Sequence, residues 1–304
     1  MATSVTSLGL VACADRAILA AKPFLETTAL FAHNYAPDNG EHYAGIAVPV
    51  LAASAADFGP SQGYTKATGT IKPATVTLDT HKVSVITASD VDFLKNDLAP
   101  AWAEAPAKAG ESIARAAVQS IMGLFTYSAA DSQITQATLA ALGDFTTIMA
   151  KTMDAGLDPR ECVLILEPVT YSKLLAALPA NVIGDGGTAL RSMLIGELLG
   201  FRAVIPSPNC SKESASGVNN GVGFVVPYGA VATANRVVVP AAQGGNLIEF
   251  GTTTDDRTGF SLGIRAVIDA DQGTLSVAVD ALWGAALSKQ SSNGAPGYIQ
   301  IKTA

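Results

Sequence analysis

The pattern of hydrophobic and polar positions changes several times along the chain. Val11 to Phe31 reads as an alanine-rich helix, passing into Asn34, Pro37, Asp38, Asn39 and Gly40, residues that mark a loop. Tyr43 to Thr87 holds Gly45, Gly59, Gly63, Gly69 and three prolines, with β-branched residues between them. Val76 and Leu78 alternate with Thr75, Thr77 and Asp79, and Val83 and Val85 alternate with Lys82 and Ser84. That is the period of half-buried strands. Few large apolar side chains fall between Ser54 and Lys72. This strand-rich excursion therefore has no core of its own and needs another surface to lie against.

A helical stretch follows. Ser89 and Asp92 have the spacing of a capping box, with Phe93 and Leu94 in the first turns. Beyond Pro100 and Pro106, the run Ala107 to Phe125 sets Ile113, Ala117, Ile121 and Leu124 on one stripe, beside Val118, Met122 and Phe125. The spacing predicts a helix of about 18 residues, ~27 Å long, with one apolar seam. Lys108, Glu111, Arg115 and Gln119 share another face. From Thr138 to Pro240 helix and strand patterns alternate, which predicts a compact α/β unit. Helical spacing runs from Leu139 to Met153 and is closed by Gly156. Cys162 to Leu166 reads as a strand covered on both faces. Further helices are predicted at Val169–Leu178 and Ala189–Leu199, and strands at Ala203–Ile205, Gly223–Val226 and Arg236–Val239. Two alternating runs, Ser261 to Ile268 and Leu275 to Asp280, flank Asp271-Gln272-Gly273 and predict an antiparallel hairpin. The polar, glycine-bearing run from Ser288 to Gly297 reads as a flexible tail.

Composition sharpens this picture. Charged residues are 15% of the 304, against the ~25% usual in soluble domains. Hydrophobic residues are 49% and the mean hydropathy is +0.32. Either the core is large or much of the surface is covered by neighbouring subunits. A net charge of −7 and a pI of 4.9 argue against sequence-specific nucleic-acid reading. Aromatics at 6% argue against a stacking platform for single strands. At ~150 residues per domain, the length fits two domains or one large one. No apolar run approaches the ~20 residues of a membrane helix, and Asp15 and Arg16 interrupt the run from Leu8 to Ala21. MATSVTS lacks the positive start of a secretory signal, so synthesis in the cytosol is expected.

Candidate chemistry is sparse. Gly259-Phe-Ser261-Leu-Gly263 fits the serine nucleophile elbow, which needs a sharp strand-to-helix turn and a downstream histidine. Here a strand pattern follows Ser261, and His33, His42 and His81 all lie upstream. A glycine-bordered strand is the reading preferred over a serine hydrolase using Ser261. His33 and His42 read as loop histidines, and His81 as part of a polar strand face. Asp269, Asp271 and Gly273 lack the remaining ligands of a calcium loop and read as a turn. Gly184 to Thr188 lacks the lysine of a phosphate loop and reads as a loop with a helix cap. Asp255, Asp256 and Arg257 form either a solvated turn or a subunit contact. Cys13, Cys162 and Cys210 show neither a disulfide framework nor zinc spacing, and Cys162 reads as a small core residue. No catalytic, cofactor-binding or metal residue is assigned, and no cofactor is expected.

Several stretches, taken in order, resemble the major capsid proteins of tailed bacteriophages, which share the Hong Kong 97 coat fold. TVTLDTHKVSVITASDVDFL (75–94) followed by EAPAKAGESIARAAVQSIMGLF (104–125) is similar to the return strand of that family's extended loop running into its spine helix. RECVLILEPVTYSKLLAAL (160–178) resembles the strand and helix of the axial domain, and LIGELLGFRAVIPSPN (194–209) the helix, glycine and strand that follow. TGFSLGIRAVIDADQGTLSVAVDALWGAAL (258–287) resembles the closing strands, including an Asp before an aromatic-Gly pair (Asp280, Trp283, Gly284). The resemblance covers nearly the whole chain.

The resemblance implies an α+β, Hong Kong 97-like fold. It implies an N-terminal arm at 1–40, an extended loop at 41–87, and a peripheral domain from 88–130 and 250–290 with spine helix 107–125. An axial domain at 131–249 and a C-terminal tail at 291–304 complete the expected division. Such subunits self-assemble through pentamers and hexamers into an icosahedral shell around a double-stranded DNA genome. The implied place is the virion, with assembly in the host cytoplasm. Implied partners are the chain itself, a separate scaffolding protein, portal and decoration proteins, and non-specific contacts with packaged DNA; no membrane is implied. Some relatives carry a cleaved, charged scaffolding segment, and none is seen before Thr3 to Leu10, so a separate scaffold or none is expected. Some relatives also join Lys to Asn between subunits. Lys66 and Lys72 lie in the loop, but nothing local marks an Asn partner. The alternatives are an encapsulin-type compartment shell, the serine hydrolase above, and a tail or adhesion protein.

Overall fold

The computed structural model describes residues 7–35, 45–52, 70–89, 99–178, 200–215, 217–238, 247–269, 273–289 and 297–304. The capping aspartate Asp92, the helix expected at 189–199, the loop 184–188, His42 and Lys66 lie outside the described residues. Three sheets organise the rest. The largest is six-stranded and is built around a 14-residue strand, β12 (Thr274–Leu287). One edge of β12 pairs antiparallel with β4 (Thr80–Ser89). Its other edge pairs first with β11 (Ser261–Asp269) and then, from Leu282 onward, with β9 (Val231–Arg236). β10 (Leu247–Thr254) extends the sheet beyond β11, and the short β1 (Ala32–Asn34) runs parallel to β9.

Two helices cover one face of this sheet, α1 (Ser7–Thr28) and α2 (Ala99–Met122). Their layer is made of small side chains. Ala14, Ala17 and Ala21 of α1 meet Ala109, Ala114 and Ala117 of α2, above Leu262, Ile264, Val277 and Val279 of the sheet. A Cβ built on Gly110 would lie 2.3 Å from the Ala17 carbonyl oxygen, so the two helices touch backbone to backbone. α2 begins eight residues before the helix expected at 107–125. It runs through Pro106, which costs one main-chain hydrogen bond but does not stop the helix. Its regular turns end at Met122, and Phe125 closes a tighter turn by donating to the Met122 carbonyl at 3.2 Å. The predicted seam therefore serves two cores: Ile113 and Ala117 face the six-stranded sheet, while Ile121, Met122 and Phe125 face the second sheet.

The second sheet has five strands in the order β5 (Ser132–Gln136), β13 (Ile299–Thr303), β8 (Gly221–Pro227), β6 (Cys162–Leu166) and β7 (Ala203–Pro206). β6 is buried at all five positions, as its unbroken apolar run predicts. One face packs on α3 (Leu142–Asp154) and α4 (Pro168–Ala177) through Phe145, Ile148, Tyr171 and Leu174. The opposite face meets the end of α2 in an aromatic cluster. Phe125 lies 5.0 Å from Tyr298, 5.7 Å from Phe31 and 5.7 Å from Phe224, centroid to centroid. Tyr298 locks the joint: its hydroxyl donates to the Thr126 carbonyl at 2.6 Å and accepts from the Thr126 amide at 2.9 Å.

Two expectations change. The strand expected at 236–239 is β9, five residues earlier, and it belongs to the sheet of β12 rather than to the α/β unit. Its inward residues are Ala232 and Ala234, too small to announce themselves as a strand face. The expected tail at 291–304 carries β13, held between β5 and β8. Tyr298, Ile299 and Ile301 are fully buried there, and those three apolar positions outweigh the polar run before them.

Candidate assembly surfaces

The strand-rich excursion is a two-stranded ribbon. β2 (Gly45–Ala52) pairs antiparallel with β3 (Thr70–Thr77) along its full length, and with no other strand among the described residues. Pro49 stands opposite Pro73. Proline has no N–H for a ladder, so this pair is tolerated where the amide positions turn outward, which leaves both ribbon edges poor at recruiting another strand. The root of the ribbon is buried in the subunit. Val76 and Leu78 pack on Ala232 and Ala234, with Leu282 and Ala286 beside them. The root also rests on Gly284 of β12, where a Cβ would lie 1.9 Å from the Thr77 carbonyl oxygen. The aromatic-Gly pair noted in the sequence thus has two structural duties. Trp283 fills the core under α1 and α2, and Gly284 admits the backbone that carries the ribbon.

The face of the six-stranded sheet away from the helices is exposed along β4. Residues directly opposite in an antiparallel ladder share a face. Ile86 pairs with Val277 and Ser84 with Val279, on the helix side; Val85 pairs with Ala278 and Val83 with Asp280, on the outer side. Val83 and Val85 are 44% and 55% exposed. Beside them lies a buried charge cluster. Asp280 is fully buried, and its Oδ2 accepts from Arg265 at 2.7 Å and from His81 Nε2 at 3.2 Å. Nothing local in the sequence joins these residues: His81 and Asp280 are 199 positions apart and meet only through the β4–β12 ladder.

The remaining candidates resolve into structure. Ser261 starts β11, and its hydroxyl shares a hydrogen bond with the Thr254 hydroxyl at 2.9 Å. Gly259 turns the chain at φ +68°, and Gly263 clears the carboxylate of Asp280, whose Oδ1 would sit 2.5 Å from a Cβ there. His33 is exposed and stacks edge-on against Tyr35 at 4.6 Å. Asp255 closes a turn by accepting from the Thr258 hydroxyl at 2.6 Å and amide at 2.9 Å, and Lys22 of α1 lies 3.7 Å away. Burial alone would push the Asp255 carboxyl up; the Thr258 bonds and Lys22 outweigh it, and the group ends below its ordinary range. Arg257 pairs with Glu26 of α1 at 3.1 Å, so this cluster fastens a turn to the first helix of the same subunit. Burial pushes the Cys162 and Cys210 thiols up to about 12. Among the described residues, no three His, Cys, Asp or Glu side chains converge as metal ligands, and no helix is long and apolar enough to cross a membrane. One apolar groove of about 510 Å³ lies between α1, α2 and the segment after β7, lined by Phe24, Phe31, Val118, Met122, Ile205 and Pro208.

No protein-family model and no curated protein matches the chain. Solved structures do. The chain is similar to the capsid of the cyanophage P-SCSP1u, with 15% identity and a TM-score of 0.55 over 90% of this chain and 86% of that one. It is similar to the capsid of a native GTA particle, with 11% identity and a TM-score of 0.55 over 93% and 91%. It is also similar to the mature capsid of bacteriophage PhiM1, with 10% identity and a TM-score of 0.51 over 90% and 85%. At such identities the agreement lies in the path of the backbone, over about nine-tenths of the chain. The mixed α+β architecture of this chain is the Hong Kong 97-like capsid fold of tailed phages.

Proposed function

We propose that the chain is a major capsid protein, a structural subunit without a catalytic step. It assembles through hexamers and pentamers into an icosahedral shell around the double-stranded DNA genome of a tailed phage, and resides in the virion. The observation that carries this reading is the capsid fold, matched over about nine-tenths of the chain. The subunit's own surfaces support it. The ribbon has no core, and the outer sheet face presents Val83 and Val85 to solvent in the isolated subunit. Both features suit burial against a neighbouring copy.

In this reading the ribbon is the extended loop of 41–87, and α2 is the spine helix of a peripheral domain drawn from 88–130 and 250–290. The five-stranded sheet is the centre of the axial domain at 131–249, completed by β13 from the segment 291–304. Within the arm segment 1–40, α1 is bedded on α2 through Ala14, Ala17 and Ala21. Curvature differences between five-fold and six-fold positions are then taken up in the ribbon and the arm. Scaffolding, portal and decoration proteins are the expected partners besides the chain itself, with weak contacts to DNA.

A second reading, an encapsulin-type shell, rests on the apolar groove between α1 and α2, which has the dimensions to seat a short cargo tail. Negative-stain imaging and sedimentation of the purified chain test the leading reading, alone and co-expressed with a candidate scaffold. Uniform shells, or rings of five and six, are expected; a monomer that persists in both conditions overturns it. Shells that copurify an enzyme held at the groove, and no DNA, would favour the second reading.

A further inference from the structure

At the crossing of α1, α2, β9 and β12 lies a small cavity of about 30 Å³. Its walls include Thr28 at the end of α1, Asn34 of β1, Asn235 of β9, Thr258 of the 255–260 turn, and Trp283 and Gly284 of β12. Most of the polar groups in that wall are spoken for. Thr28 donates to the Leu25 carbonyl at 2.7 Å, Asn235 donates to the Leu282 carbonyl at 3.2 Å, and Thr258 donates to Asp255 at 2.6 Å. The Asn34 amide nitrogen donates to the Thr258 carbonyl at 2.9 Å, which fixes which way its amide points. Two buried atoms in the same wall have no partner among the described residues: the Trp283 indole Nε1 and the Asn34 Oδ1. Trp283 is 2% exposed.

We infer that this cavity is a built site for internal water, with one molecule accepting from the Trp283 indole N–H and donating to the Asn34 side-chain oxygen. The chemistry is matched, since one orphan is a donor and the other an acceptor, and water is both. The size is matched too. A cavity needs at least about 10–15 Å³ of such space to hold a water, so this one holds one molecule, or two at most. A dry cavity is the rule where walls are wholly apolar, and leaving an indole N–H and an amide oxygen unpaired costs more than immobilising a water. The position gives the water a role. It ties β1, the strand that follows the first helix, to the strand that carries the ribbon root, at residue 283 beside Gly284, through a bridge that can re-form when those pieces shift.

A map of the shell or of the isolated subunit, at a resolution where buried waters are seen elsewhere, tests the site in the wild-type chain. A peak within about 2.6–3.2 Å of both atoms is expected in every independent copy. An empty cavity, or a peak bonded to neither atom, overturns the inference. The second readout is cross-relaxation between water and the indole N–H in 15N-tryptophan-labelled subunit, where Trp102→Phe assigns the two indole signals. A cross-peak of long-lived water at Trp283 is expected, and its absence under conditions where other buried waters report also overturns the inference. Trp283→Phe is a poor sole test, because the side chain also fills the core. Asn34→Leu keeps the indole in place, and is expected to weaken that cross-peak at least several-fold.

Discussion

Gly284→Ala tests the idea that the ribbon is aimed by a single close contact. The added methyl would lie 1.9 Å from the Thr77 oxygen, 2.7 Å from its carbon and 3.2 Å from the Leu78 nitrogen, all backbone atoms that no rotamer change can move. Relief to ordinary contact near 3.3 Å requires the root to lift by about 1.4 Å. The nearest fixed point is Thr80, which pairs with Trp283. Three residues of extended chain separate it from Thr77, a lever of roughly 10 Å, so the tilt is about 8°. β3 is 8 residues long, about 26 Å at ~3.3 Å per residue, so its far end lies roughly 35 Å from Thr80 and would swing by roughly 5 Å. Overpacking of this kind costs about 1–3 kcal/mol, a fall of roughly 2–5 °C in Tm for a chain of this size. The subunit should therefore fold, since its two cores lie elsewhere, yet fail to place the ribbon on its neighbour. Thermal melting of the purified subunit and the shell fraction on a sucrose gradient measure the two effects separately. The expected result is a modest loss of Tm with a loss of shells of at least tenfold. Normal shell yield with an unmoved ribbon root would refute the reasoning, because the contact would then have no steering role.

Three further outcomes follow from the same structure. Gly110→Ala drives a methyl against the Ala17 backbone at 2.3 Å, so it should lower the Tm of the isolated subunit by forcing α1 off α2, with a cost of about 1–3 kcal/mol; an unchanged melting curve would contradict the backbone contact. Val83→Lys with Val85→Lys should cost the subunit no more than about 1 kcal/mol per site, since neither lysine faces a like charge in the ladder, while abolishing shells in the sedimentation assay; shells of normal yield would place that face outside the assembly contacts. Cys162 and Cys210, with thiols pushed up to about 12 by burial, should resist iodoacetamide at pH 8.5 until urea unfolds the chain, while the partly exposed Cys13 reacts first in a peptide map. The sign of the accompanying pH effect is fixed: above the ordinary thiol value of 9.0 the unfolded chain has lost protons that the folded chain keeps until about 12. Folding stability therefore falls as pH rises through that window, and urea midpoints at pH 8 and pH 10.5 should show it.

What the sequence revealed depended on side-chain size. β6 was legible because Cys162 to Leu166 is unbroken and apolar, and β11 and β12 because large and small residues alternate around Gly273. The seam of α2 was legible from Ile113 to Phe125, but its first turns lay behind Pro106, a residue that usually ends a helix pattern. β9 was displaced by five residues because alanines carry almost no periodic signal. β13 was hidden by the polar stretch before it, although three of its neighbouring positions are fully buried. Sites made by long-range pairing were invisible in principle. The Asp280 cluster joins β4, β11 and β12, and the Trp283–Asn34 cavity joins β1 to β12, with no local motif in either case. The G-x-S-x-G run was the reverse case, a motif whose glycines have a structural explanation: one turns the chain and one clears a buried carboxylate.

The composition now divides between two causes. Part of the apolar excess is alanine in the α1–α2 layer, where backbone contact at Gly110 leaves no room for larger side chains. Such residues bury little area each, and at about 25 cal/mol per Å² a layer of methyl groups stabilises far less than the same layer of leucines. Four rings, Phe31, Phe125, Phe224 and Tyr298, meet in the joint, while Phe260 and Trp283 sit in the core under the helices and Phe145, Tyr171 and Phe201 in that of the second sheet. Another part lies outside, where Val83 and Val85 of β4 are exposed on the six-stranded sheet. If the proposed function holds, a subunit with thin alanine packing inside and uncovered valines outside gains stability from its neighbours. The expected outcome is an assembled shell more resistant to heat and urea than the free subunit, in line with a low charge fraction on surface that assembly would cover.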